Sequence, residues 1–533
     1  MKQLLKNATI YDGTGSASFV GDVLLEDDRI AAVGKELAAE DAEVLDLTGL
    51  SLSSGFFDGH SHNDWFAIKK DPIKYFEPFI RQGITSFVAG NCGMSAFGFD
   101  ADTKYLDKMG GGLFGYKGDT TGVYPDAAAF FDAIDGRMPC NIASLVGHCT
   151  ARASVAGFEN RPLTAEETEH MVGLLEKALQ QGACGASLGL MYEPGVYADN
   201  QELRQVALLC EKYDRPMTVH PRAESTVSMS YPQLLGRPHI LRAMDDLAEI
   251  SKGTKLKLQY SHCIFVGRKS FKCKDELLDL MRRMRSEGVD VRFDIYNETL
   301  GTSVITVVLP GWYQSLTPEQ KRSPLNKLKL NLLCRATILL LGFGWDDIQI
   351  AWVGEGNEQY QGKTVHQIAK ETGKSDLNAY LDLCEMSHFQ GRVNMGPYST
   401  EDIIHDFEGN DLCNFFMTDA WIEEHGVQNP ACYDNHPKFL QDALLGKGGT
   451  MPSTIRRMTG AVVDRFGLPG RGYVKPGYAA DLTVFDEQAL KDGKPDQGSA
   501  FGIRKVFING KQVLDEGKLD YEALKTTGRA VRA

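Results

Sequence analysis

Several features are missing from this 533-residue chain, and each absence narrows what it can be. Basic residues are not in excess: 57 Lys and Arg stand against 71 Asp and Glu. The formal net charge is −14, so neither a nucleic acid nor an anionic membrane is an expected partner. There is no paired-cysteine framework. The 11 cysteines are odd in number and scattered, and Cys149, Cys184, Cys210 and Cys384 lie inside apolar runs. That usage fits reduced thiols and a cytoplasmic setting. The opening MKQLLKNATIYDGTG has no apolar core and is not expected to be a secretory signal. The greasiest stretch, ATILLLGFGW at 336–345, is too short to span a bilayer. No repeat or low-complexity tract stands out, and no Gly-x-Ser-x-Gly elbow occurs. The glycine-rich MGGGLFGYKGD at 109–119 lacks the setting of a phosphate loop and reads as a mobile loop near an active-site mouth. QGKT at 361–364 lacks the upstream glycine of a Walker motif and reads as a helix start. Cys149 follows His148 directly, and strand neighbours face opposite ways, so the two are not expected to form a nucleophile–base pair.

What is present is an ordinary globular composition, 43% hydrophobic and 24% charged, long enough for one large α/β domain and a smaller one. Both ends of the chain alternate apolar and polar residues between Gly and Asp turn signals, as in GDVLLEDDRIAAVG and RKVFINGKQVLDEGK. They predict one small β-sandwich domain assembled from residues 1–54 and 466–533. Between them an apolar run ending in a polar cluster recurs eight times: SLSSGFFDGHSH, GITSFVAGNCG, NIASLVGHCTAR, GACGASLGLMYEPG, RPMTVHPRAE, LKLQYSHCIF, VDVRFDIYNE and LCNFFMTDAW. Helical patterns such as TAEETEHMVGLLEKALQQG lie between several of them. Continuous apolar runs alternating with helices predict buried parallel strands, and eight of them predict a TIM-like (β/α)8 barrel over 55–465. The seventh and eighth runs are too far apart for one helix, which predicts an inserted subdomain at about 310–400.

In such a barrel the chemistry sits where the strands end. The first run ends with His60 and His62, one residue apart and so on one side of a strand. The second ends with Cys92 between glycines, the fifth with His220, the sixth with His262, the eighth with Asp419. Singly each has a plain account, as a satisfied polar residue, a small hydrophobe or a helix cap. Jointly, six metal-compatible residues fall at the ends of five of the eight runs. Zinc accepts imidazole, thiolate and carboxylate, and a catalytic site keeps one position for water, whose pKa it lowers from ~15.7 to ~7. A facing carboxylate can then move protons.

The stretches GFFDGHSHND, GNCGMS, LVGHCTAR, GASLGLMYEPG, VHPRAES, YSHC and TDA, in this order, resemble the amidohydrolase superfamily and, within it, the N-acyl-D-amino-acid deacylase (D-aminoacylase) family. IRRMTGAVVDRFGLPGRGYVKPGYAADLTVFD at 455–486 is similar to that family's C-terminal signature, so the resemblance covers nearly the whole chain. It implies a zinc held by Cys92, His220 and His262, with His60 and His62 lining a second, weakly filled metal position. It implies that Asp419 takes a proton from zinc-bound water and delivers it to the leaving nitrogen of an amide. It places Tyr192, Arg222, Tyr296 and Arg152 on the substrate side, with Arg222 and Glu224 alternatively an ion pair holding the His220 loop; Glu298, a departure from the family, is expected to meet a donor or cationic group of the substrate. The chain also departs from the family. Ile264 stands where relatives carry a lysine that binds the substrate carboxylate, Asn297 and Glu298 replace a Pro-Tyr pair, and SDG is here TDA. Either another cation (Arg222, Arg268 or Lys269) grips the carboxylate or the substrate lacks one. The expected partner is a small-molecule substrate, with a homo-oligomer left open. Two other readings are a hydrolase of cyclic amides and a non-catalytic scaffold on the same fold.

Overall fold

Parallel strands carry the middle of the chain. In order they are Phe56–Asp58, Ile84–Ala89, Asn141–Ser144 continued by Val146–Gly147, Ala186–Gly189, Met217–His220, Lys257–Tyr260, Asp290–Ile295 and Cys413–Phe416. The computed structural model describes residues 2–109, 114–116, 118–228, 230–231, 236–314, 316–494 and 501–533. The strands pair in chain order, three in one parallel sheet and six segments in another, the third strand contributing to both. The last returns to the first: the Gly59 N–H donates to the Phe416 carbonyl at 3.4 Å and the Asp419 N–H to that of His60 at 3.2 Å. The protein is thus α/β, built on parallel sheets as expected. Helix Ala165–Gln180 shows the local logic. Thr164 and Glu167 close a capping box at its start, and Met171, Leu175, Ala178 and Leu179 recur on one buried face. QGKT likewise leads into a helix, Val365–Thr372, capped by Thr364.

The chain ends meet in one nine-stranded sheet, joined where Ser51–Ser54 pairs antiparallel with Leu482–Phe485. By hydrogen bonding it is one continuous, branched sheet. The ten-residue strand Lys2–Tyr11 is long enough to pair with Phe19–Glu26 along one edge and with Glu43–Asp46 and then Ser51–Ser54 along the other. The last residues leave this sheet. Ile142 donates to the Arg529 carbonyl and accepts from Val531, at 3.0 and 2.8 Å, so the tail packs beside the third parallel strand.

The insertion begins at Gly301, earlier than about 310. Strands Gly301–Val304 and Ile348–Trp352 flank Arg392–Met395 in an antiparallel sheet, with helices between them. Its opening strand finds its partner some 90 residues later, a pairing invisible to local pattern. The subdomain has its own apolar core, including Ile305, Leu330, Ile350, Tyr380 and Val393.

Candidate metal centre

The strand ends place the predicted ligands together, through unusual backbone. Cys92, His262 and Asp419 all sit at positive φ, at 51°, 35° and 47°. Non-glycine residues are strained there, and such strain concentrates where a side chain must be aimed. Around Cys92 the chain passes so close to its neighbours that a Cβ on Gly93 would lie 2.5 Å from the Cys149 sulfur and 2.6 Å from the Gly189 nitrogen. The glycine of GNCG is therefore required by space as well as by turn.

The Cys92 Sγ lies 3.4 Å from His60 Nε2, 3.5 Å from His262 Nε2 and 3.7 Å from His220 Nδ1. His220 Nδ1 and His262 Nε2 are 2.8 Å apart. Asp419 Oδ1 lies 3.3 Å from His62 Nε2 and 3.5 Å from His60 Nε2. Two ligand groups result, Cys92–His220–His262 and His60–His62–Cys92–Asp419, sharing the thiol. A tetrahedral zinc with ordinary Zn–S and Zn–N bonds requires S···N edges of ~3.5 Å and N···N edges of ~3.3 Å. The edges to sulfur already match; the two imidazoles need to part by about half an ångström. The donor set fits zinc, and its charge state agrees. Burial pushes the Cys92 thiol up, but the imidazoles of His60, His220 and His262 outweigh it and hold the thiol well below its ordinary range. Burial alone would lower His60 and His62, yet the Cys92 and Asp419 charges raise them to about 10 and about 9. Asp419 is held low, burial being overcome mainly by His60 and His62.

Carboxylates stand behind the histidines. Glu224 Oε1 lies 2.7 Å from His262 Nδ1, and its other oxygen 3.8 Å from His220 Nε2. Asp294 accepts from the backbone N–H of His262 at 2.7 Å and lies 3.5 Å from His60 Nδ1. Metal-bound imidazoles are commonly held this way. Motif reading does not single out Asp294, although it sits at the end of the seventh run. Nor does it single out Phe114, whose ring stacks on His62 at 4.7 Å and meets Trp421 at 4.9 Å. Phe114 belongs to the glycine-rich stretch 109–119, of which 110–113 and 117 lie outside the described residues. The described Phe114 is buried, and the rings of His62, Trp65, Phe66 and Trp421 meet it.

The substrate-side assignments divide. Tyr192 stands at the centre, its hydroxyl 3.3 Å from His220 Nδ1. Tyr296 is buried in an apolar cluster with Ile264 and Met417, flanked by Val266 and Tyr398. Arg152 is not brought to the site. It is fully buried and donates to Glu202 at 2.9 Å and to the Arg161 carbonyl at 2.8 Å, while His148 meets the same Glu202 at 2.7 Å. Both belong to helix His148–Ala156, where the third run has already left its strand. Cys149 lies in that helix too, against the Gly189 carbonyl. Arg222 does not pair with Glu224; it donates to the carbonyls of Val196 and Ala198 and lies 3.6 Å from Asp246. Glu298 is an ion pair with Lys438, which also meets Asp434. Burial raises the Glu298 carboxyl to about 7 in spite of that lysine.

No protein-family model matches the chain. Over 534 residues it is 27% identical to a D-aminoacylase of Alcaligenes xylosoxydans xylosoxydans, covering 96% of this chain and 94% of that one. It is also 27% identical to an N-acyl-D-glutamate deacylase of the same organism, covering 96% and 93%. A solved D-aminoacylase superposes with a TM-score of 0.77 at 24% identity over 100% and 99% of the two chains. An N-acyl-D-glutamate deacylase of Bordetella bronchiseptica, complexed with zinc and a phosphonate mimic of the tetrahedral intermediate, superposes at 0.78 with 24% identity over 99% of each. Over nearly its full length, then, the chain is similar to D-aminoacylases and to deacylases of N-acyl-D-glutamate and N-acyl-D-aspartate.

Proposed function

We propose that this chain is a zinc-dependent deacylase that hydrolyses the amide bond of an N-acyl compound, with a recognition site that no longer grips a carboxylate. The observation that carries the reading is the convergence of Cys92, His220 and His262 with S···N distances of 3.5 and 3.7 Å beside the Asp419 carboxylate. In this reading the parallel strands close a (β/α)8 barrel, residues 1–54 and 466 onward form the appended β-rich domain, and the insertion covers the strand ends. Cys92, His220 and His262 would hold the tight zinc, with His60 and His62 at a weaker position. Zinc so held supplies an acidified water and polarises a carbonyl. Asp419, kept ionised by His60 and His62, is the base that receives a proton and returns it to the leaving nitrogen. Tyr192 offers its O–H to the carbonyl oxygen as charge develops there. Glu224 and Asp294 keep His262 and His60 from turning.

On the substrate side, the three cations available to replace the absent lysine are engaged elsewhere. Arg268 makes two 2.8 Å bonds to Asp347, Lys269 donates to the Leu339 carbonyl, and Arg222 is held as described. The Glu298 charge is matched by Lys438. Ile264, Tyr296 and Met417 present an apolar wall, so the substrate end that meets strands six to eight is uncharged. The test is elemental analysis joined to a hydrolysis screen of N-acyl-D-amino acids against their carboxamides. One zinc per chain with preference for the carboxamides is expected. A zinc-loaded protein that cleaves neither would sink the deacylase reading; one that prefers the free acids would sink only the altered recognition site.

A further inference from the structure

The first six residues of the greasy stretch at 336–345 form the end of helix Pro324–Leu341 in the insertion. Its inner side, Leu330, Cys334 and Leu341, packs into the subdomain core. Its outer side is equally apolar. Leu325, Leu328, Leu332 and Leu339 recur at three-, four- and seven-residue steps and are 73%, 55%, 62% and 69% exposed; Leu340 beside them is 38% exposed. A helix apolar on both sides is normally buried on both, and a soluble protein rarely leaves so continuous a patch uncovered. Charge indicates what covers it. Residues 320–345 contain Lys321, Arg322, Lys327, Lys329 and Arg335 and no acidic residue, within a chain of net charge −14. Arg322, Lys329 and Arg335 are exposed. The Lys329 ammonium lies over the Trp312 ring and the Arg335 Nε–H donates to the Asn331 side chain, so both cations stand beside the leucines.

We propose that this helix docks the protein, reversibly, on an anionic lipid surface, lying in the interface with its leucines among the acyl chains and its cations at the headgroups. No helix of the described residues is long and apolar enough to cross a membrane, so the contact is peripheral. The overall acidic balance argues against such a partner, but electrostatic attraction to a membrane is local, acting within a Debye length of ~8 Å. A second copy is the poorer occupant. A two-fold pairing centred on Leu332 sets Lys329 of one copy beside Arg335 of the other, like charges against like. The placement also has a consequence for access. Val304, Thr306, Gln314 and Lys321 of the same insertion line a cavity of about 770 Å³ shared with Phe66, Lys69 and Ile422 of the barrel loops. Docking by this helix would set the lipid surface beside the subdomain that borders this cavity.

The test is co-sedimentation of the full chain with vesicles of phosphatidylcholine alone, or in equal parts with phosphatidylglycerol, at low and high salt, with size-exclusion light scattering in the absence of lipid. Binding to the anionic vesicles is expected, weakened by salt, and weakened roughly tenfold or more by Leu328→Ser/Leu332→Ser/Leu339→Ser and by Lys329→Glu/Arg335→Glu. Circular dichroism and hydrolytic activity in solution, unchanged in both variants, exclude misfolding. No binding to either vesicle overturns the proposal. So does binding that the leucine variant leaves intact, and so does a lipid-independent dimer that the leucine variant converts to monomer.

Discussion

Glu224→Gln is the sharpest single perturbation of the centre. The carboxylate is buried, 5% exposed, and sits 2.7 Å from Nδ1 of a histidine that is itself 2% exposed. The amide keeps the shape and one acceptor but removes the charge that fixes the His262 tautomer and raises the basicity of its Nε2, the atom that faces Cys92. Loss of such a partner typically weakens metal binding or activity 10–100-fold, about 1.4–2.7 kcal/mol. The upper half of that range is expected because the pair is buried from bulk solvent, where its interaction is weakly screened. Zinc affinity is measured by competition with a chromophoric chelator, and kcat/KM on the best substrate is followed beside it. The spectrum of the cobalt-substituted protein reports whether the thiolate still binds. The expected outcome is a zinc affinity lower by about 30-fold with the cobalt–thiolate band retained. Affinity within about twofold of wild type would refute the reasoning, since Glu224 would then be only a buried structural carboxylate.

Three other outcomes follow from the same geometry. Cys92→Ser removes the only sulfur of both ligand groups, so zinc content by elemental analysis falls below one per chain and amide hydrolysis drops at least ~100-fold. Ile264→Lys with Glu298→Tyr restores a cation beside the apolar wall and leaves Lys438 paired with Asp434; activity on N-acetyl-D-amino acids rises, and no gain would count against the altered-recognition reading. His436 is fully buried against the Phe57 carbonyl, and burial lowers its pKa to about 4. A histidine depressed in the folded state contributes stability that is complete above the unfolded value of ~6.5 and is lost as pH falls toward 4, at most about 3 kcal/mol. His436→Gln therefore flattens the denaturation midpoint between those pH values, measured by guanidinium unfolding; an unchanged slope would count against it.

Much of the centre is legible in the order of residues alone. His60, His62, Cys92, His220, His262 and Asp419 each terminate an apolar run, and the fold brings all six together. The helix starts at Thr164 and Thr364 are legible for the same local reason, a capping residue ahead of a periodic apolar face. Arg152 and Glu298 mislead because a charge in a motif says nothing of which neighbour it meets. One is consumed by Glu202 on a helix some 50 residues away and the other by Lys438 at a separation of 140. The start of the insertion at Gly301 is hidden likewise, its partner strand lying near residue 395.

By itself, the sequence determined which elements form and which polar side chains end the strands, because hydrophobic period, caps and glycine turns act over a few residues. Only the tertiary structure decided that Glu224 serves His262, that Phe114 roofs His62, that the ends of the chain share one sheet, and that a leucine-rich helix faces outward. Those facts depend on contacts between residues tens to hundreds of positions apart, whose geometry is set by the packing of the whole chain and leaves no mark in any local pattern.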